Sequence, residues 1–381
     1  MNKNILLLLL LALASCSSDK SSDGKNEDFR FSYQLDTVLV DSKGVLFFLN
    51  QGLMGASLSP DSNKLFTYNE PMTRLDIVDL EKLEFLDSIP LEKEGPNGIG
   101  PRGILRTHVT DLGDYYFSVY GGIKEFDTEG KVKRAFNWTK DEEILNQLEN
   151  GELVFFNDII SSDGATYFGM YTASHIPGKP QQDGIVLMDL NTKKLQLIDI
   201  PALKALQDYQ IQLEMNGRTS FAGDQTFLLV NGSKILISQG PVNGVSVYDL
   251  DRDSLKVYSY ETELLPARNP GDYTRKVGSV EEFQVAWDLK SKEPHFGDFM
   301  YDAEHNLYYR VSHISELKSD GELEWNGVLS IFDEDFNLLH EEDGLGNYHG
   351  EKFLRNGKIY RFINFDDEMA FEVLTPKYDY E

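Results

Sequence analysis

Asp298-Phe-Met-Tyr-Asp-Ala-Glu-His-Asn-Leu-Tyr-Tyr-Arg-Val311 decides the fold. Asp298 to Asp302 reads as a short strand, Ala303 to Asn306 carries turn residues, and Leu307 to Val311 is aromatic and β-branched enough for a second strand. Downstream, Val328-Leu-Ser-Ile-Phe332 forms a third strand, Asp333 to Asn337 turns, and Leu338-Leu-His340 opens a fourth. Four antiparallel strands within about forty-five residues, joined by short turns, make one β-meander.

The same pattern recurs upstream. Lys64 to Tyr68, Leu75 to Asp79 and Glu84 to Leu86 follow Leu58-Ser-Pro-Asp61. A second copy runs through Val109, Tyr115 to Val119, Ile123 to Asp127 and Val132 to Phe136. A third covers Ile159 to Gly164, Thr166 to Phe168, Ile185 to Asp189 and Leu195 to Ile200. In the fourth, Ser220 to Asp224 leads to Phe227-Leu-Leu-Val230, then Val245 to Asp249 and Leu255 to Tyr260. The opening stretch is the fifth. A sixth, from Phe353 through Lys358 to Phe362 and Ala370 to Leu374, ends before a fourth strand is clear. Phe29, Phe31, Tyr33 and Leu35 alternate with polar residues at the other end, and Val38, Val40 and Val45 to Leu49 continue in strand fashion. The two ends are therefore expected to share one sheet.

An aspartate recurs after the third strand, as Asp79, Asp127, Asp189, Asp249 and Asp333, where its carboxylate can accept turn N–H groups. Repeats with two partly apolar faces can bury those faces only against their neighbours. The expected fold class is all-β: a six-bladed β-propeller with short helical insertions on one face.

The N-terminus reads as a processing signal. Lys3 supplies positive charge, Ile5 to Leu11 an apolar core, and Leu13-Ala14-Ser15-Cys16 ends it in small residues before the only cysteine. This pattern looks like a bacterial lipoprotein leader, with lipid carried on Cys16 and residues 1–15 removed. Ser17 to Asp28 is a polar tether, and 29–381 is one propeller domain. No intrachain disulfide is possible with one cysteine, and the acyl chains are the expected membrane anchor. The formal charge of −27 argues against a nucleic-acid surface.

The strand-turn-strand copies, the leader, the linker Leu91-Glu-Lys-Glu-Gly-Pro-Asn-Gly-Ile-Gly100 and His295-Phe-Gly-Asp-Phe-Met-Tyr301 together resemble a Bacteroidota lipoprotein family, the domain of unknown function 4221. The resemblance implies a TolB-like six-bladed propeller and a cell-envelope address, in the outer membrane. It implies no chemistry.

In a propeller, residues just before each innermost strand converge on one axial funnel. Those positions hold Arg106, His108, Asn157, Asp158, Glu214, Arg218, His295 and His349. Three linkers carry helical patterns: Asp141 to Leu148, Pro201 to Leu213, and the capping box Ser279-Val-Glu-Glu282, with Phe283 and Trp287 four apart. All three are expected around one mouth. No nucleophile elbow, His-Glu-x-x-His or phosphate loop occurs. The expected role is a non-catalytic binding module for a glycan, peptide or protein partner, with no cofactor. A second reading follows a likeness to calcium-dependent lactonase propellers, in which Glu94, Asn157 and Asp158 would hold a calcium ion.

Overall fold

The computed structural model describes residues 29–148, 153–172, 182–317 and 323–380, and among these the side chains of all but 153–157, 316–317, 323 and 379–380. The leader, Cys16 and the tether lie outside them. Strands dominate, grouped in six four-stranded antiparallel sheets and one three-stranded sheet.

β1 (Phe29–Leu39) belongs to the last sheet. The first sheet joins β2 (Ser57–Leu58), β3 (Lys64–Asn69), β4 (Arg74–Asp79) and β5 (Glu84–Pro90) in sequence order. The next joins β6 (Arg106–Val109), β7 (Tyr115–Val119), β8 (Gly122–Phe126) and β9 (Val132–Asn137). After helix α1 (Glu142–Leu145) come β10 (Leu153–Ile160), β11 (Thr166–Thr172), β12 (Gly184–Asp189) and β13 (Leu195–Asp199).

A 3-10 helix (Pro201–Tyr209) and a hairpin of β14 (Ile211–Met215) and β15 (Arg218–Ala222) precede the fourth meander. That meander is β16 (Thr226–Asn231), β17 (Lys234–Gln239), β18 (Val242–Asp249) and β19 (Ser254–Ser259). β20 (Lys276–Val277) returns to pair in parallel with β14, and helix α2 (Val280–Lys290) packs there through Phe283 and Ala286. The fifth meander is β21 (Phe299–Asp302), β22 (Leu307–Leu317), β23 (Leu323–Phe332) and β24 (Leu338–Glu342). β25 (Lys352–Arg355), β26 (Lys358–Phe365) and β27 (Glu368–Tyr380) form the last sheet, completed by β1.

Two sequence expectations are corrected here. Ser220 to Asp224 is not the first strand of the fourth meander: residues 218–222 belong to the three-stranded sheet, and Phe227 to Val230 lie in the first strand, with Lys234–Gln239 second. Both segments alternate well, and only their pairing partners tell them apart. Val45 to Leu49 forms no strand; Phe47 and Leu49 instead pack against the apolar cluster of β3, β4, β26 and β27.

Six apolar clusters lie between neighbouring four-stranded sheets. Phe66, Phe117 and Phe126 join the first and second; Tyr116, Tyr167 and Val186 the second and third; Met170, Ile185 and Ile237 the third and fourth. Leu236, Phe299 and Phe332 join the fourth and fifth, Tyr309, Leu329 and Ile359 the fifth and last, and Leu65, Val78 and Phe371 bring the last back to the first. The first strands β2, β6, β10, β16, β21 and β25 touch one after another in that order. The sheets thus follow a cyclic, propeller-like order. Since strands alternate in direction, the inter-sheet linkers and second-to-third hairpins lie on one face, and the remaining turns on the other. Helices α1 and α2, the 3-10 helix and the three-stranded sheet all sit in linkers of the first kind.

The recurrent aspartates cap the third-to-fourth turns. Asp79 Oδ1 accepts from Glu81 and Lys82 N–H, both at 2.9 Å, and Asp127, Asp189, Asp249 and Asp333 repeat the arrangement. At α2, Ser279 Oγ accepts from Glu282 N–H, while Glu282 Oε2 accepts from Gly278 N–H at 2.8 Å, so the expected capping box closes one residue upstream. Among the described residues no helix is long and apolar enough to cross a membrane.

β1 pairs with β27 over eleven residues, from Phe29↔Tyr380 to Leu39↔Ala370. Removing residues 29–39 leaves β27 an open edge. The shortened protein is expected to lose its cooperative thermal transition and to aggregate, as followed by circular dichroism and light scattering.

Candidate functional site

The first strands deliver polar side chains to the axis on the linker face. On β6, Arg106 is exposed and makes no hydrogen bond or ion pair to a described residue. Two positions on, His108 Nε2 lies 3.4 Å from Asp158 Oδ1 on β10. Asp158 is 2% exposed and also accepts from Ser118 Oγ on β7. Burial alone would raise its pKa. The hydrogen bonds from His108 and Ser118 and the charge of Arg106 outweigh burial and hold the carboxyl below the usual range. Asp158 is thus a satisfied buried carboxylate.

Asp298, just before β21, is its opposite. No other described side chain hydrogen-bonds it, and burial pushes its pKa up against the pull of Lys352, Arg106 and His295. Glu351, ahead of β25, is also raised, first by desolvation and then by Asp298. It is open to solvent yet crowded by protein, as a residue on a channel wall would be. Lys352, whose Nζ donates to Gly350 O at 2.8 Å, is lowered by burial while Asp298 and Glu351 oppose the shift. Two cations and three carboxylates therefore act on one another around the starts of β6, β21 and β25 and the second half of β10.

Three histidines flank this group. His295 and His313 exchange backbone hydrogen bonds at 2.8 and 2.9 Å, linking the start of β21 to the β22–β23 hairpin. The ring of His349 stacks on that of His313, with centroids 3.8 Å apart and planes 12° from parallel, and Trp325 meets His349 edge-on at 5.1 Å. Burial and the charge of Lys352 push His313 down to about 3 and His349 to about 4. His295 is lowered too, chiefly by burial. All three rings are neutral at physiological pH. His313 Nε2 sits 2.9 Å from Tyr348 O, an acceptor only, so its neutral ring carries the proton there.

Of the residues expected from sequence, Arg106, His108, Asp158, His295 and His349 come to this region. The side chain of Asn157 lies outside the described ones. Glu214 and Arg218 fall on the β14–β15 hairpin, both exposed, and share no hydrogen bond or ion pair with the axial groups. Glu94 is exposed in the linker after β5. Among the described residues no three His, Cys, Asp or Glu are grouped as a metal site would need. Asp298, Glu351, Lys352, His313 and Trp325 were not anticipated. The first three obey the rule that found His295 and His349, two or three residues further on; the last two sit on a hairpin whose length no periodicity announces.

A separate cleft of about 290 Å³ opens beside the 3-10 helix, lined by Ala205, Tyr209, Val245 and Tyr258. Its charged lining residues, Asp208 and Arg268, are both exposed, while the buried polar residues Gln239 and Ser246 also line it.

The sequence profile described as "Domain of unknown function (DUF4221)" matches residues 28–343. A crystal structure of a DUF4221 family member from Bacteroides vulgatus superposes with a TM-score of 0.66 at 16% identity, covering 94% of this chain and 100% of that one. A putative exported protein from Bacteroides fragilis gives 0.51 at 9% identity, covering 95% and 98%. Streptogramin B lyase gives 0.42 at 11% identity over 91% and 98%, too distant to inform chemistry. No curated protein matches significantly.

The depressed histidines make stability pH-dependent with a definite sign. A folded-state pKa below the unfolded one means that the native state resists protonation, so stability falls as pH drops below the ordinary histidine value. For buried His313 the loss between about pH 7 and about pH 4.5 is roughly 2–3 kcal/mol. The raised Asp298 and Glu351 act in the opposite sense. Urea midpoints at the two pH values should therefore lie closer together in His313→Gln than in wild type, because the share of His313 in the acid loss disappears while those of His349 and His295 remain.

Proposed function

The chain belongs to the domain-of-unknown-function 4221 family, and we propose on that footing that it is a non-catalytic binding module. In this reading it is a six-bladed propeller whose axial mouth holds a glycan, peptide or protein partner. The six four-stranded sheets, their cyclic clusters and the β1–β27 closure support the blade count, with the three-stranded sheet as a linker elaboration. One observation carries the site: burial pushes up Asp298 at the axis, and the exposed Arg106 acts on it, on Glu351 and on Asp158 while its own side chain makes no hydrogen bond to a described residue. A carboxyl that its surroundings push up and a cation whose donors face solvent both gain when a ligand completes their hydrogen bonds. A ring built only for support would fill such positions with small or apolar residues.

The leader supports the rest of the reading. Lipid on Cys16 tethers the domain to the cell envelope, in the outer membrane, through residues 17–28. Cys16→Ser is expected to move the protein from the membrane pellet to the soluble fraction and to abolish the acyl mass on the mature N-terminal peptide. Recovery of the variant in the pellet would sink the anchor.

For the mouth, thermal unfolding of the purified protein against neutral oligosaccharides, acidic oligosaccharides and short peptides should reveal at least one stabilising class. Arg106→Ala and Asp298→Asn should each remove that shift while retaining the wild-type circular dichroism spectrum. A shift that survives both substitutions places binding elsewhere.

A further inference from the structure

We infer that the axial mouth takes a neutral, polyhydroxylated sugar, seated against the corner formed by Trp325 and His349. The inference rests on the reading of this mouth as a ligand site and names what fits it.

The charges exclude the simpler candidates. Arg106 is close enough to act on Asp158, Asp298 and Glu351, and Lys352 on Asp298 and Glu351. An anionic ligand would meet Arg106 and Lys352 already faced by three carboxylates, with Arg361 beyond them paired to Glu372 at 2.8 Å, in a chain whose formal charge is −27. A cationic ligand would compete with Arg106 and Lys352 for the same carboxylates. A ligand of many hydroxyls needs no net charge at the site. Each hydroxyl both donates and accepts, so one sugar can donate to Asp298 or Glu351 and accept from Arg106 or Lys352.

The aromatic geometry favours the same ligand class. His349 is exposed, backed by His313 on one ring face and met at 81° by Trp325. Two ring planes at nearly a right angle form a corner, in which His349 is exposed and Trp325 half-buried. The C–H groups on the apolar face of a pyranose stack on such rings, and a neutral imidazole keeps the contact free of charge. Trp325 is held in place by its hairpin: Ser315 Oγ donates to Lys292 O at 2.6 Å, and Ser315 pairs with Trp325 across the ladder. Lys352 acts on all three imidazoles as well as on Asp298 and Glu351, so the aromatic corner and the charged group are one neighbourhood.

The experiment is titration calorimetry of the purified protein with a neutral oligosaccharide series, a uronate series and unstructured peptides. Wild type is compared with Trp325→Ala, His349→Ala and Arg106→Ala, each first checked for an unchanged melting transition. The expected result is binding of a neutral oligosaccharide, weakened roughly tenfold or more by Trp325→Ala. That affinity should change less than about threefold between low and high salt, since no net ion pair forms. Binding confined to uronates or peptides, lost in Arg106→Ala, overturns the sugar and leaves the mouth as a site. Neutral-sugar binding indifferent to all three substitutions overturns both, as does a series in which nothing binds at millimolar concentration.

Discussion

The structure depends on the pairing of its first described strand with its last. Each four-stranded sheet has two apolar faces, and a row of such sheets would leave one face bare at each end. Bringing β1 onto β27 completes the sixth sheet, which then buries Tyr309 and Ile359 on one side and Val78 and Phe371 on the other. Each large side chain so buried contributes about 1.5–3 kcal/mol, and a whole domain retains only about 5–15 kcal/mol of net stability. Opening the ring would expose two such clusters at once, so the closure stabilises far more than its own hydrogen bonds.

That rigidity permits the axis to hold groups that folding alone would not favour. Asp158 has side-chain hydrogen-bond donors and a cation to keep it ionised in a dry setting, whereas Asp298 has only its own backbone N–H and neighbouring charges, which burial outweighs. Elsewhere the fold tolerates a comparable exception. Arg310 on β22 is fully buried, donates to Asn243 Oδ1, and lies under four aromatic rings with centroids 5.2–5.7 Å from its guanidinium. Burial lowers it to about 10, leaving it charged, and the ring faces supply the negative potential that a carboxylate would otherwise provide.

Much of the fold was legible because its signals are local. Alternation of apolar and polar residues marks strands, the turn aspartates mark the third hairpin of each unit, and surplus strands at one end with a shortage at the other announce closure. Reading failed at Ser220 to Asp224 and Val45 to Leu49, where the residues suit a strand but pairing is decided by segments far away in sequence. The site was half legible for the same reason. Arg106, His108, Asp158, His295 and His349 follow from position in the repeat, whereas Glu214 and Arg218 inherited the misplaced fourth unit. His313 and Trp325 reach the axis only because β22 and β23 overrun their neighbours, a length set by contacts with the 292–295 and 345–349 linkers rather than by any pattern of their own.

The topology of the last sheet also puts both described ends on one face. β1, the edge strand of that sheet, ends at the linker that leads to β2, so Leu39 lies on the linker face and Phe29 on the opposite one, beside Tyr380. Both described ends therefore leave from the side away from Arg106 and Trp325. Under the proposed anchor at Cys16, the chain enters the described domain on the face opposite the mouth. A large polymer could then reach the mouth from open solvent, without threading the gap between protein and bilayer.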